Sequence, residues 1–196
     1  DLVRSRGLGD VYKRQVFPGY QKFKDLNGDL QITQEDLTII GNPNPDFTGG
    51  ITNTFRFYNF DMSLFFTFSY GNDILNMNRY YLEEGRSLSS NQFASYADRW
   101  TVDNPNGKLP RARSANNTAW GSDRYVEDGS YLRLKNLNIG YTLPIQVSQR
   151  FFVSNMRIYF SAQNLFTVTG YSGQDPTVST MSNARTPGYD YSAYPV

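Results

Sequence analysis

The chain has 196 residues, of which 39% are hydrophobic, 19% charged and 16% aromatic, with 15 Tyr and 14 Phe; that suits one globular domain or part of something larger, and the aromatic load excludes disorder. It contains no Cys and no His, which excludes disulfide frameworks, Cys-ligated metal centres and imidazole-dependent catalysis such as the Ser-His-Asp triad. No apolar run is long enough for a membrane-spanning helix, although a membrane β-barrel stays open because its strands are short and only half apolar.

Residues 1–15, DLVRSRGLGDVYKRQ, lack the Asn/Thr/aromatic texture of the rest of the chain. They resemble a translated adaptor sequence and are set apart from the fold argument, the alternative being a frayed basic terminus. The expected organisation is therefore an adaptor-like segment over 1–15 and one structural region over 16–196. The segment holds four of the 19 basic and two of the 18 acidic residues, so the formal charge of +1 becomes −1 without it. No basic footprint for nucleic acid remains.

The first motif is Asp25-Leu26-Asn27-Gly28-Asp29-Leu30-Gln31-Ile32-Thr33-Gln34-Glu35-Asp36. It resembles a calcium loop. Side-chain oxygens at Asp25, Asn27, Asp29, Thr33 and Asp36, with the backbone carbonyl of Gln31, have the spacing that wraps six or more oxygens round a hard cation. Leu30 stands where such loops usually place Gly, and Asp36 is shorter than the usual Glu. The competing reading is a polar Asn-Gly turn with Asx-type bonds.

Four strands are expected, at 47–58, 60–71, 130–143 and 156–169. In the second, Phe60, Met62, Leu64, Phe66, Phe68 and Tyr70 alternate with Asp61, Ser63, Phe65, Thr67 and Ser69, so one face is greasy. In the first, Ile51, Phe55 and Phe57 oppose Thr48, Thr52, Thr54 and Arg56, with Asn53 misplaced on the apolar side. The break between the two is only about Tyr58-Asn59-Phe60, which suits a tight hairpin. The residues from Gly71 to Ser130 form a very long connection, and Phe93, Tyr96, Ala97 and Trp100 behind Ser90 predict a helix within it. Glu83-Glu84 and Asp98-Arg99-Trp100 supply carboxylates, but nothing in the sequence fixes the separation that glycoside cleavage requires. Tyr80, Tyr81, Trp100, Trp120 and Tyr125 are either sugar-stacking rings or loop packing. Arg111 and Arg113 lack the Gly-rich turn of a phosphate cradle.

In the third strand Leu137, Ile139, Tyr141 and Leu143 share a face, while Leu132 and Leu134 are out of phase with them, a one-residue slip that predicts a bulge. In the fourth, Met156, Ile158, Phe160, Ala162, Phe166 and Val168 are the apolar set, Arg157, Tyr159, Ser161, Gln163 and Thr167 the polar one, and Asn164 and Leu165 the exceptions. Short turns at one end and long loops at the other is the layout of an outer-membrane barrel.

In order along the chain stand Lys24 to Asp29, Ile40-Gly41-Asn42-Pro43-Asn44-Pro45-Asp46-Phe47, the 60–70 strand, Arg99-Trp100-Thr101 and Leu109-Pro110-Arg111. Next come Asp128-Gly129-Ser130-Tyr131-Leu132-Arg133-Leu134-Lys135-Asn136, Gly140-Tyr141-Thr142-Leu143-Pro144, Gln163-Asn164-Leu165-Phe166 and Tyr171-Ser172-Gly173-Gln174-Asp175-Pro176. The series, covering nearly all of 18–196, resembles the C-terminal part of SusC/RagA-type TonB-linked outer membrane proteins. The resemblance implies an all-β fold: an antiparallel transmembrane β-barrel fragment, an open curved sheet of four long strands with long extracellular loops. It also implies a location in the outer membrane and energised import of glycans or peptides, with no enzymatic activity. The implied partners are outer-membrane lipid, a SusD-type surface lipoprotein as a lid, and the TonB complex through N-terminal parts; the only cofactor in view is calcium at Asp25–Asp36. Members of the family end in one further strand closing on an aromatic, where this chain reads Tyr194-Pro195-Val196, so a fragment truncated at both ends is expected. The alternatives are a soluble carbohydrate-binding β-sandwich with a calcium loop, and a glycosidase.

Overall fold

The structure, a computed structural model, describes residues 18–21, 23–83, 85, 91–112, 122–177 and 187–191. The chain divides into two compact units, one built from 43–74 and 127–178, the other from 1–42, 75–126 and 179–196. Residues 1–15, Glu84, Ser90, Arg113, Trp120 and the 194–196 terminus lie outside the described residues.

The first unit is a four-stranded antiparallel sheet in the order β1 (Phe47–Phe57), β2 (Phe60–Tyr70), β5 (Tyr131–Thr142), β6 (Arg157–Thr169). Each strand lies within a residue or two of its expected limits. Phe57 faces Phe60, so Tyr58-Asn59 is a two-residue turn, and Tyr58 takes φ 51° to close it. Thr142 donates its N–H to the Asn59 carbonyl at 2.8 Å, and Leu143 donates to Met156 at 2.8 Å. The ends of β1, β2, β5 and β6 are thereby fastened together at the short-turn side. Between β5 and β6 the chain forms a single helical turn, α2 (Ile145–Ser148), and a 3₁₀ turn, Gln149–Phe151. Pro144 stops β5 because it lacks the N–H a ladder needs.

The expected slip is present, and the pairing defines its location. Phe65 pairs with Asn136 and Phe66 with Leu134, leaving Lys135 as an extra residue on β5. At the same level Leu134 pairs with Phe166 and Asn136 with Gln163, so Asn164 and Leu165 are extra on β6. Asn164 takes φ 49° there, a left-handed conformation that Asn tolerates better than most residues. The bulge returns Leu132 and Leu134 to the face of Leu137. Two irregularities far apart in sequence are therefore one structural feature.

The long connection contains β3 (Asp73–Asn76), α1 (Met77–Leu82) and β4 (Val126–Asp128), and β7 (Tyr189–Asp190) comes near the end of the chain; α1 and β7 belong to the second unit. Leu75 and Asn76 pair in parallel with Tyr189 and Asp190. Buried Asn76 caps α1 by accepting the Arg79 N–H at 3.3 Å. Met77, Tyr80 and Tyr125 form the core, with Leu75 and Tyr189 against it. The Tyr80 and Tyr125 rings meet edge-on at 5.5 Å, a favoured aromatic geometry.

The helix expected across Phe93–Trp100 is a correction. Only Ala94–Asp98 turns, as a 3₁₀ helix, and Phe93 and Arg99 at its two ends are both extended. Trp100 donates its N–H to Leu109 at 2.8 Å, and Leu109 donates to Asp98 at 3.1 Å. This bridge pulls the chain straight after Asp98, so the helical spacing of the apolar residues has no helix to occupy.

Candidate functional site

The sheet presents two chemically different faces, and the register assembles each in rows. On one face the rows read Phe57-Phe60-Tyr141-Ile158, Phe55-Met62-Ile139-Phe160, Asn53-Leu64-Leu137-Ala162, Ile51-Phe66-Leu134-Phe166 and Gly49-Phe68-Leu132-Val168, with Phe47 beside Tyr70. Asn53 is the single polar interruption. Phe68 lies over Gly49, where a Cβ would come within 2.6 Å of the ring, so glycine admits the aromatic. This face is uncovered: Ile51, Phe55, Phe160 and Val168 are each more than half exposed. Exposed apolar area of this kind costs about 25 cal/mol per Å² in water and marks a surface that meets something apolar.

The other face is polar and cross-linked. Thr54, Ser63, Asn138 and Ser161 form one row, Thr52, Phe65, Asn136 and Gln163 the next. Arg157 on β6 reaches over β5 to Asp61 on β2, with Nη2 to Oδ2 at 2.6 Å and Nε to Oδ1 at 3.3 Å. Gly140 lies beneath the bridge, and a Cβ there would stand 2.7 Å from Asp61 Oδ1. Nearer the long-loop end, Arg133 donates to Thr167 Oγ1 at 2.9 Å and to Asp175 at 2.6 Å. Burial pushes the Asp175 carboxyl up, but the Arg133 and Thr177 hydrogen bonds outweigh it and hold the group below its ordinary value. Glu127 accepts both the N–H and the hydroxyl of Ser172 at 2.8 Å. The chain after β6 is thus tied back to the sheet. These bridges were not legible in the sequence, where Arg157 and Asp61 appear only as polar-face residues of separate strands.

The calcium-like segment folds as a set of nested turns. Asp25 accepts the N–H groups of Gly28 at 2.7 Å and Leu30 at 2.8 Å. Asn27 accepts that of Asp29 at 2.9 Å, and Asp29 that of Gln31 at 2.7 Å. Asp36 accepts from Leu26 and Thr33 at 2.8 and 2.7 Å, and these two backbone donors, Thr33 first, lower its pKa. Thr33 caps the 3₁₀ turn Gln34–Asp36 by accepting the Glu35 N–H. Leu30 takes φ 62°, the left-handed conformation that a loop of this type requires of its sixth residue, here without glycine. Among the described residues no three acidic side chains gather into a metal-holding group.

The other sequence candidates among the described residues are held in structural contacts. Glu83 is buried, accepting Arg79 Nε at 3.1 Å and the Ser95 hydroxyl at 2.9 Å. Asp98 accepts from Asn104 at 3.4 Å. Tyr80 and Tyr125 are core residues, so neither offers a face to a sugar. Tyr81 sits edge-on to Tyr80 and Tyr191. The Arg111 guanidinium lies over the Tyr20 and Trp100 rings at 5.4 and 5.7 Å, a cation–π packing role.

No family model matches the chain. Among curated relatives, TonB-dependent receptor P3 of Formosa agariphila is 42% identical over 183 residues, 91% of this chain and 18% of the relative. TonB-dependent receptor SusC of Bacteroides thetaiotaomicron is 26% identical over 94% of this chain and 17% of its own length. Among solved structures, the RagAB peptide transporter aligns with a TM-score of 0.63 and 30% identity, over 75% of this chain and 16% of that one. The chain belongs to the SusC/RagA-type TonB-dependent receptors. It spans about a fifth of the length of the curated relatives it matches. SusC/RagA-type receptors reside in the outer membrane, and the four-stranded antiparallel sheet is a piece of barrel architecture. The proteins matched are receptors and transporters.

Proposed function

We propose that this chain forms part of the barrel wall of an outer-membrane importer that takes up large nutrients, glycans or peptides, with energy delivered through TonB and with a SusD-type surface lipoprotein as its lid. The apolar rows face lipid, and the polar face carrying Arg157–Asp61 and Arg133–Asp175 lines the interior. The observation that carries this reading is the uncovered apolar face of a four-stranded antiparallel sheet in a chain similar to such receptors throughout. A spanning sheet must close into a barrel to satisfy its edges, and plugged transporters of roughly 22 strands are the class with room for this cargo. A β-sandwich would instead cover this face with a second sheet about 10 Å away.

The test uses the intact receptor in its native host. Its membrane pellet should release the receptor only with detergent, and deleting it, or its lipoprotein partner, should abolish growth on the cognate glycan or peptide. A receptor recovered in the aqueous extract, or uptake unchanged by its deletion, overturns the reading.

A further inference from the structure

A polar cavity of about 860 Å³ opens within the second unit, and every residue that lines it belongs to that unit. The volume lies in the range of about 300–1,000 Å³ usual for ligand sites. Its wall is organised round the Ser122 hydroxyl. Gln21 donates Nε2–H to Ser122 Oγ at 2.7 Å, Arg124 donates its backbone N–H to the same oxygen at 3.2 Å, and Ser122 donates to Asp123 Oδ1 at 3.3 Å. A hydroxyl has one proton, and this one is committed to Asp123. Gln21 therefore meets Ser122 only as a donor, which fixes its amide and leaves Oε1 as the unpaired atom. Gln21 is 6% exposed, and among the described residues neither its Oε1 nor the buried Nε of Arg124 has a hydrogen-bond partner. Arg111 donates its N–H to the Gly19 carbonyl at 2.9 Å, which stitches the Gln21 segment to the long connection. Buried polar groups are nearly always paired. An acceptor and a donor held on one hydroxyl in a cavity wall call for a ligand that supplies both partners.

We propose that this cavity is a peptide-binding subsite on the extracellular side of the receptor. A peptide bond brings both missing partners, its N–H for Gln21 Oε1 and its carbonyl for Arg124 Nε. The inference rests on the importer function proposed for the chain, and it selects peptide over glycan as cargo. The lining carries that choice. Lys108 and Arg124 supply positive charge and Asp98 and Asp123 negative, beside the Arg79–Glu83 ion pair at 3.1 Å. Charges of both signs suit a chain that itself carries both, as peptide side chains and termini do. Leu109 is the one apolar side chain of the wall, and no aromatic ring lines it among the described residues, so a sugar finds no face to stack on. Long connections of such barrels lie outside the cell, where an incoming peptide arrives. A site built on buried hydrogen-bonding groups discriminates against molecules that leave those groups unpaired.

The test uses the intact receptor, immobilised from detergent, and two probes: a tryptic digest of casein and a mixed hydrolysate of starch and xylan. The amount of each retained at a fixed subsaturating concentration is read by mass spectrometry. The wild-type receptor should retain casein peptides and no oligosaccharides, and Gln21→Leu and Arg124→Met should each lower peptide retention about tenfold, the effect of one lost hydrogen bond at a desolvated site. Lys108→Glu, whose side chain carries none of these hydrogen bonds, should shift the retained peptides from acidic to basic ones, and it decides the matter where a network variant fails to fold. Peptide retention unchanged in all three variants overturns the site. So does a wild-type receptor that retains no peptide, which would mean that water satisfies Gln21 and Arg124. Oligosaccharides retained by the wild type and lost in Gln21→Leu overturn the peptide class. If deletion of the receptor abolishes growth while all three variants retain casein peptides as the wild type does, the importer reading stands and the cavity inference alone falls.

Discussion

Replacing Leu64 by arginine in the intact receptor tests the facing of the wall and its depth together. β2 has 11 residues; at about 3.4 Å per residue and a tilt of about 40° it rises about 26 Å, which matches the apolar band of about 25 Å of outer-membrane barrels. Leu64 is in the third of the six rows counted from the turn, between Asn53 and Leu137. It therefore sits about 10 Å above the lowest row and about 3 Å from the bilayer centre on the same geometry. Arginine there should destabilise by about 2–4 kcal/mol, near the midplane maximum, whereas Phe60→Arg in the lowest row should cost about 0–1 kcal/mol. Ser63→Arg, between Thr54 and Asn138 on the polar face, should cost less than Leu64→Arg, since no charge enters lipid. The assay is the guanidinium midpoint of the receptor in phospholipid vesicles, compared at unchanged m-value. A Ser63→Arg loss as large as that of Leu64→Arg refutes the facing. A Phe60→Arg loss as large as that of Leu64→Arg refutes the depth.

Gly140→Val should cost about 1–3 kcal/mol by overpacking, because its Cβ would meet the Arg157–Asp61 bridge; the cost should shrink in an Asp61→Ala, Arg157→Ala background, and an equal cost in both means the glycine serves another purpose. The Asp175 carboxyl has a lowered pKa in the folded state, so its contribution is complete above the unfolded value near 3.9 and is lost as pH falls through the lower, folded value. A spin label at Gln174→Cys should gain mobility over that acid range, and Arg133→Met should make it mobile already at neutral pH; mobility unaffected by either change removes the tether. For Asp25–Asp36 we propose weak calcium binding through Asp25, Asn27, Asp29, the Gln31 carbonyl, Thr33 and Asp36, with an affinity of about 10⁻⁴–10⁻³ M as in extracellular modules. Calorimetric titration of the intact receptor should give heat that an Asp25→Ala, Asp29→Ala variant loses; equal heat from both, or none at millimolar calcium, leaves a polar turn closed by its own hydrogen bonds.

The alternation over Phe60–Tyr70, the tight hairpin after the first strand and, to within a residue, the limits of all four long strands were legible in the amino-acid order alone. Side-chain parity along an extended chain is a local property, and a strand with one apolar face has few other ways to read. The slip before Leu137 and the exceptions at Asn164 and Leu165 were visible too, each as an isolated irregularity. Only the tertiary structure joined them, because aligning Lys135 with Asn164-Leu165 depends on the register between β5 and β6, which no single strand contains. The Arg157–Asp61 bridge spans 96 positions of sequence and crosses an intervening strand at the one residue without a side chain. The apparent helix at Phe93–Trp100 failed for the complementary reason: its spacing was right, but the hydrogen bonds to Leu109 claimed the backbone first. Sequence by itself therefore determined which residues face which way along each strand. Which of them meet was decided by the pairing of strands, since contacts across a sheet follow register and not chain proximity.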